Sequence, residues 1–378
     1  MKVRQHLFSN NAWDFSSLEE EIIPNLILCF GNRFLLEEGE PMRLLRERFK
    51  NAIIATASTA GEISNETAMD DSIVATLVEF KKTELSAHSV NLHDFSNEKE
   101  ATAALMNNFN LDQLKFLFVL ADGHLINGSE VVSGINEILG DKIPVAGGLA
   151  GDGSRHLKTL VGLNEDIREG NLMAIGFYGE ELKLGFGSQG GFGQFGPLRT
   201  ITKSSGSTLY ELDNKNALQL YKDYLGEYAN DLNENLFLFP LAITDRQADN
   251  EIVRTILSVD ESTQAMKFAG DMPEGAKVRL MKANTDNLIF AASEAASHSN
   301  KNFLDSDDKL AILVSCVGRK HVFKDRLEEE HEVVRLALGE QTTITGFYSY
   351  GELAPFSGFM KCQLHNQTLT ITTMTETE

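Results

Sequence analysis

The fold turns on "NLILCFGNRFLLEEGEPMRLLRERFKNAIIATASTAGE", residues 25–62. An apolar run ends in Cys29-Phe30-Gly31, a helix starts near Pro41, and a second run, "AIIATA", leads into Gly61-Glu62. Met42, Leu45 and Phe49 recur at i, i+3 and i+7, one face of a helix, and proline suits a helix's first turn. The unit reads as strand, helix, strand, with a carboxylate presented on the turn that follows.

Two later segments share this grammar. In "LKFLFVLADGHLINGSEVVSGINEILGDKIPVAGGLAGDG", residues 114–153, the strand "FLFVLA" runs into Asp122-Gly123. Asn127 or Ser129 can cap a helix lined by Val132, Ile135 and Leu139, which Gly140 closes. The return strand "IPVAG" empties into "GGLAGDG". In residues 310–352, "LAILVSCVGR" ends a strand at Cys316-Val317-Gly318. Leu327, Val334 and Leu338 then mark a helix stopped by Gly339, and "TTITGFYSYGE" returns as strand. Matching turn chemistry at both ends of three units predicts an internal duplication.

The expected class is α/β: two domains, 1–203 and 204–378, with mixed β-sheets flanked by helices and internal strand–helix–strand repeats. The first two copies fall in the N-terminal domain and the third in the C-terminal one. Strand–helix–strand units predict parallel neighbours, while the alternation in "HNQTLTITTM", residues 365–374, predicts antiparallel closing strands. Between the copies, "LGFGSQGGFGQFGPLR", residues 184–199, carries three phenylalanines. It reads as an ordered loop that can place Phe186, Phe192 and Phe195 against a flat ligand.

Composition narrows the function. With 55 acidic against 34 basic residues the net charge is −21, which repels phosphate backbones and counts against nucleic acid or anionic membrane as partners. No run approaches the ~18 apolar residues of a spanning helix, so no membrane insertion is expected, and no targeting signal is read. Cys29, Cys316 and Cys362, odd in number and without CxxC spacing, point to reduced thiols and a cytoplasmic setting. The phosphate-loop, GxSxG and HExxH signatures are missing. Cys316, close to Arg319 and Lys320, can be read as an activated thiol with His321 or His331 as base, or as a small buried packing residue. The nine histidines show no metal-ligand spacing, and no metal is assigned.

A binding constellation is left. Arg319 can present a two-pronged donor to a carboxylate, Glu352 can receive an ammonium, and Tyr348 and Tyr350 add hydroxyls and apolar faces. That set suits an amino-acid-like zwitterion; alternatively, Arg319 and Glu352 simply pair with each other. His365 sits in a polar cluster with Asn366, Gln367 and Thr368.

"STAGE" at 58–62, "PVAGGLAGDG" at 144–153, "SCVGR" at 315–319, "GFYSYGELAP" at 346–355 and "HNQTLT" at 365–370 together resemble the hallmarks of FIST-domain proteins, an N-terminal module followed by a C-terminal one. The resemblance implies a sensory, non-enzymatic, small-molecule-binding protein of bacterial signal transduction that acts through a partner such as a histidine kinase. It singles out Ser58, Thr59, Gly61, Glu62, Gly148, Asp152, Cys316, Arg319, Glu352 and His365. FIST proteins of this size also resemble nitric-oxide-sensing haemoproteins, so haem is the one cofactor the resemblance raises. Haem would need an axial ligand and an apolar slot; with no CxxCH, covalent attachment is excluded. The candidate ligand-binding set is therefore Ser58, Thr59, Glu62, Asp152, Cys316, Arg319, Tyr348, Tyr350, Glu352 and His365.

Overall fold

The structure, a computed structural model, describes residues 1–15, 22–244, 251–303, 308–355 and 360–377. Each of the three units forms a parallel strand pair: Leu26–Gly31 with Ile53–Ser58, Leu114–Ala121 with Val145–Leu149, and Lys309–Cys316 with Thr342–Ser349. The helices between them start and stop where the caps require. Pro41 lies at the start of Glu40–Arg48, Asn127 caps Gly128–Leu139 by accepting from the Ser129 N–H, and Gly339 ends Leu327–Leu338. On the other side of each first strand comes an antiparallel strand, Ile73–Glu79, Asn171–Tyr178 or Leu369–Glu376. Beyond that lies an outer strand, Lys2–Ser9, Glu84–Asn91 or Leu182–Gln189, the first of them hemmed at one end by Ala12–Trp13. The sheets are mixed, as expected for an α/β chain.

What the sequence does not announce is that the hairpins are exchanged. Glu62–Ile63, which follows the first unit, pairs with Gly346 and Phe347 of the third. Val161–Leu163, which follows the second, pairs with Ala55–Ala57 of the first. Gly351–Pro355, which follows the third, pairs with Gly147–Leu149 of the second. Each sheet is thus completed by a hairpin from another repeat.

Strand alternation then sorts the side chains. Leu26, Leu28 and Phe30, Phe116, Phe118 and Leu120, and Leu310, Ile312 and Val314 all point into one core shared by the three sheets, with Phe30 and Phe347 rings 4.7 Å apart. The opposite faces are covered by helices: Met42 and Leu45 pack over Ile27 and Cys29. Val131, Ile135, Val334 and Leu338 pack over Leu117, Val119, Ala311 and Leu313. Close approach requires glycine on the return strands, because a Cβ at Gly147 would lie 1.8 Å from the Val119 carbonyl oxygen and one at Gly346 1.9 Å from that of Leu313.

The third repeat is interrupted. Between its edge strand, Leu182–Gln189, and the helix Thr285–Asn300 lies a nine-stranded sheet with the helix Ala217–Leu225 and its own core around Leu209, Leu218, Phe239 and Met266. The boundary expected between 203 and 204 falls within the strand Arg199–Ser205, and the edge strand Leu182–Gln189 belongs with the C-terminal Leu369–Glu376. The glycine-rich stretch 184–199 is partly strand. Its Gly185 and Gly187 let Thr285–Asn300 lie close, since a Cβ there would meet the Ser299 and Ala295 carbonyls at 2.0 and 1.8 Å. Its phenylalanines do not share one slot: Phe186 packs on the shared core, Phe192 beside Leu288, and Phe195 is 45% exposed.

Truncating Phe347 to alanine should cost about 3–5 kcal/mol, because it empties the junction between sheets. Leu336, 81% exposed, should cost under about 0.5 kcal/mol when so truncated. Denaturant unfolding of the two variants checks the difference.

Candidate functional site

All three parallel pairs run toward the same meeting point, where backbone bonds tie the strand ends together. The Ala60 and Tyr348 amides donate to Tyr348 and Gly61 carbonyls at 2.8 Å, joining the first and third repeats. Gly151 N–H donates to Ser58 O at 2.9 Å, and Ser58 Oγ donates to Gly151 O at 2.7 Å, joining the first and second. Tyr350 N–H donates to Leu149 O at 3.1 Å, joining the second and third. Buried backbone that cannot reach water has to be paired in this way.

The ten residues singled out in the sequence are all buried here. Glu62 accepts from Thr59 Oγ1 at 2.5 Å and from the hydroxyl and amide of Ser72 at 2.7 and 3.1 Å. Burial outweighs those donors and pushes its pKa up to about 7. Glu352 accepts from Ser349 Oγ at 2.6 Å and Thr368 N–H at 3.3 Å; its pKa too is raised by burial. Asp152 holds its loop, taking the amides of His156, Leu157 and Lys158 at 2.8–3.1 Å and the Tyr350 hydroxyl. His156 stacks on the Tyr350 ring at 4.2 Å. His365 shares a bond with the Ala354 carbonyl at 3.3 Å, and burial brings its pKa down to about 4.

One sequence reading is corrected. Arg319 is fully buried and its donors are spent. Nε reaches Glu330 at 2.8 Å, one terminal nitrogen reaches Glu330 at 2.6 Å and Leu288 O at 3.1 Å, and the other reaches Gly190 O at 2.6 Å. It therefore pairs with Glu330 instead of Glu352, and its fork is not open to a ligand carboxylate. Gly190 and Leu288 lie on either side of the inserted domain, so one guanidinium clips both crossings. Of the two readings of Cys316, the small buried packing residue is the one the structure favours: the thiol is buried, and burial, then the carboxylate of Glu352, push its pKa up. Tyr348 is occupied as well, its hydroxyl donating to Glu330 at 3.3 Å and its ring lying under Lys320 at 5.3 Å.

Three residues stand outside the ligand-binding set drawn from the sequence, although Asn366 and Gln367 were noted there as polar neighbours of His365. Glu330 looks like one of a solvated acidic run, Glu328 to Glu330, but it is four residues before Val334 and so shares the inner helix face. Asn366 and Gln367 are 1% and 0% exposed. Both amide atoms of Asn366 and the amide oxygen of Gln367 lack a partner among the described residues. Gln367 adopts a left-handed φ of 59°, and its amide lies where a Cβ on Gly318 would be, 2.6 Å away. The polar run "HNQT" was the available signal; that its amides are orphaned is visible only in three dimensions.

Residues 25–215 match the FIST N domain and residues 217–355 the FIST C domain. The chain is 26% identical over 232 residues to the uncharacterized protein MJ1623 of Methanocaldococcus jannaschii, a match covering 57% of this chain and 43% of that protein. The chain thus spans less than half of that relative. A cyanuric acid hydrolase from A. caulinodans aligns at 7% identity and a TM-score of 0.20, over 78% of this chain and all of that one; a likeness that slight carries no argument. Among the described residues no helix is long and apolar enough to cross a membrane.

Arg319→Ala should cost about 3–5 kcal/mol, because Glu330 would stay buried without its cation, whereas Arg319→Met with Glu330→Leu should recover most of that loss. Denaturant midpoints test both. Glu62 supplies a pH signature. Its folded pKa of about 7 lies above the ordinary 4.5, so its protonation contributes stability that is full below pH 4.5 and lost as pH rises through about 7. Stability measured from pH 4 to 8 should fall by up to about 3 kcal/mol more in the wild type than in Glu62→Gln.

Proposed function

Because this chain belongs to the FIST family, whose two modules cover residues 25–355, we propose that it is a sensory protein without catalytic activity that binds an amino-acid-like ligand where the strand ends meet. FIST domains are associated with sensory signal transduction and the binding of small ligands. The observation that carries the finer reading is three buried amide atoms without a partner among the described residues, both of Asn366 and the oxygen of Gln367, on the turn that follows His365 and precedes Thr368, the Glu352 donor. A buried polar group without a partner costs about 1–3 kcal/mol, a cost that a ligand returns on binding. One amide nitrogen and two amide oxygens suit a molecule carrying both a carboxylate and an ammonium. Binding would act on a strand knot shared by three sheets, and from there on a partner such as a histidine kinase in the cytoplasm.

The enzyme reading is disfavoured by the protonated, buried Cys316. For the haem reading, four of the nine histidines are otherwise engaged. The buried His331 and His365 bond to the Ser64 and Ala354 carbonyls, and His156 and His321 lie stacked on Tyr350 and Phe237.

A thermal-shift panel of the common amino acids should find a stabilising ligand, worth about 2.7 kcal/mol at a hundred times its Kd. Asn366→Leu and Gln367→Leu should each abolish that shift. A panel in which no amino acid stabilises the protein, or in which both variants respond like wild type, sinks the proposal. Titration with haemin should give no Soret band, and a stoichiometric one would install the gas-sensing alternative.

A further inference from the structure

Arg254, at the end of the strand Glu251–Arg254 in the inserted domain, is 8% exposed and makes no ion pair among the described residues. One terminal nitrogen donates to the Leu364 carbonyl at 2.9 Å and more weakly to Val253 O at 3.3 Å, while the buried Nε has no partner among the described residues. A buried guanidinium with only carbonyl partners is under-compensated. Burial accordingly lowers its pKa to about 10, with Asp271 the one charge working the other way.

Its surroundings are hollow. Arg254 lines two adjoining open clefts of about 400 and 480 Å³, which share Ser129, Ile252 and Arg254 itself as walls and carry the carboxylates of Glu137, Asp271 and Glu274 farther out. They form a groove between the inserted domain and the helix Gly128–Leu139 of the second repeat. Ser129 stands in the first turn of that helix, where the peptide dipoles favour negative charge. Gln363, also on the wall, has a buried amide oxygen without a partner among the described residues, an acceptor for a donor on the same molecule and not for its anionic group. Glycine at 270 leaves room for the arginine, since a Cβ there would lie 2.9 Å from Nε.

We propose that this groove is a second ligand site, which takes a small molecule through an oxyanion, a carboxylate or phosphate group, held by Arg254. A planar donor fork matches either group. The site is separate from the strand-end amides and does not depend on the amino-acid reading. It adjoins that cluster through Leu364, whose neighbour His365 feels the Arg254 charge, so an anion seated here would alter the field at the other site.

Calorimetric titration at fixed ionic strength with sodium succinate and, separately, inorganic phosphate decides the matter. At least one probe should bind the wild type with a Kd of about 1 mM or tighter, and Arg254→Met should weaken it about tenfold or more. Tighter succinate assigns a carboxylate ligand, and tighter phosphate a phosphorylated one. Ile252→Trp, which fills the groove but keeps the guanidinium, should cause the same loss and stands in if Arg254→Met does not fold. No heat from either probe, or unchanged affinity in the variants that fold, overturns the site.

Discussion

The fold depends on a backbone knot in which no repeat pairs with itself alone. Ser58 with Gly151, Ala60 with Tyr348, and Tyr350 with Leu149 close a ring of three contacts. Each contact leads directly into a hairpin that completes a foreign sheet. Main-chain groups there are shut away from water, so breaking one contact strands donors and acceptors in two repeats at once. The small residues Ser58, Gly61 and Gly151 are needed because three strand ends converge where little side-chain volume fits. The acids follow from the same constraint: Glu62 and Glu352 are the first and second residues of their exchanged hairpins and are held by hydroxyls three residues upstream, Thr59 and Ser349.

Arg319 adds a second level of organisation. A buried guanidinium needs several acceptors in fixed directions, and here they come from a helix acid, Glu330, and from carbonyls at both crossings of the inserted domain. The residue that looks most like a ligand grip in the sequence therefore secures architecture. Arg254 presents the contrast: similarly buried, it has carbonyl partners for one nitrogen, open clefts alongside and no acid within ion-pair reach among the described residues.

The strand–helix–strand units were legible because apolar runs, caps and glycine stops obey local rules: Pro41, Asn127, Gly140 and Gly339 stand where those rules put them. Hairpin exchange was not legible, since pairing between residue 62 and residue 347 leaves no local trace. All ten motif residues proved buried, so a motif could place them but not separate those that shape turns from those with spare hydrogen-bonding capacity. That separation rests on partners. Arg319 finds Glu330 across eleven residues of chain, and Asn366 finds none among the described residues; neither fact is encoded in spacing.

Exchange also governs when the molecule can take shape during synthesis. The first sheet waits for residues 161–163, and the second stays open at Val145–Leu149 until residues 351–355 have left the ribosome. Contacts so distant in sequence close slowly and leave strand edges bare meanwhile. The nascent chain therefore spends most of its translation with an unfinished β-edge, the kind of surface that chaperones shield.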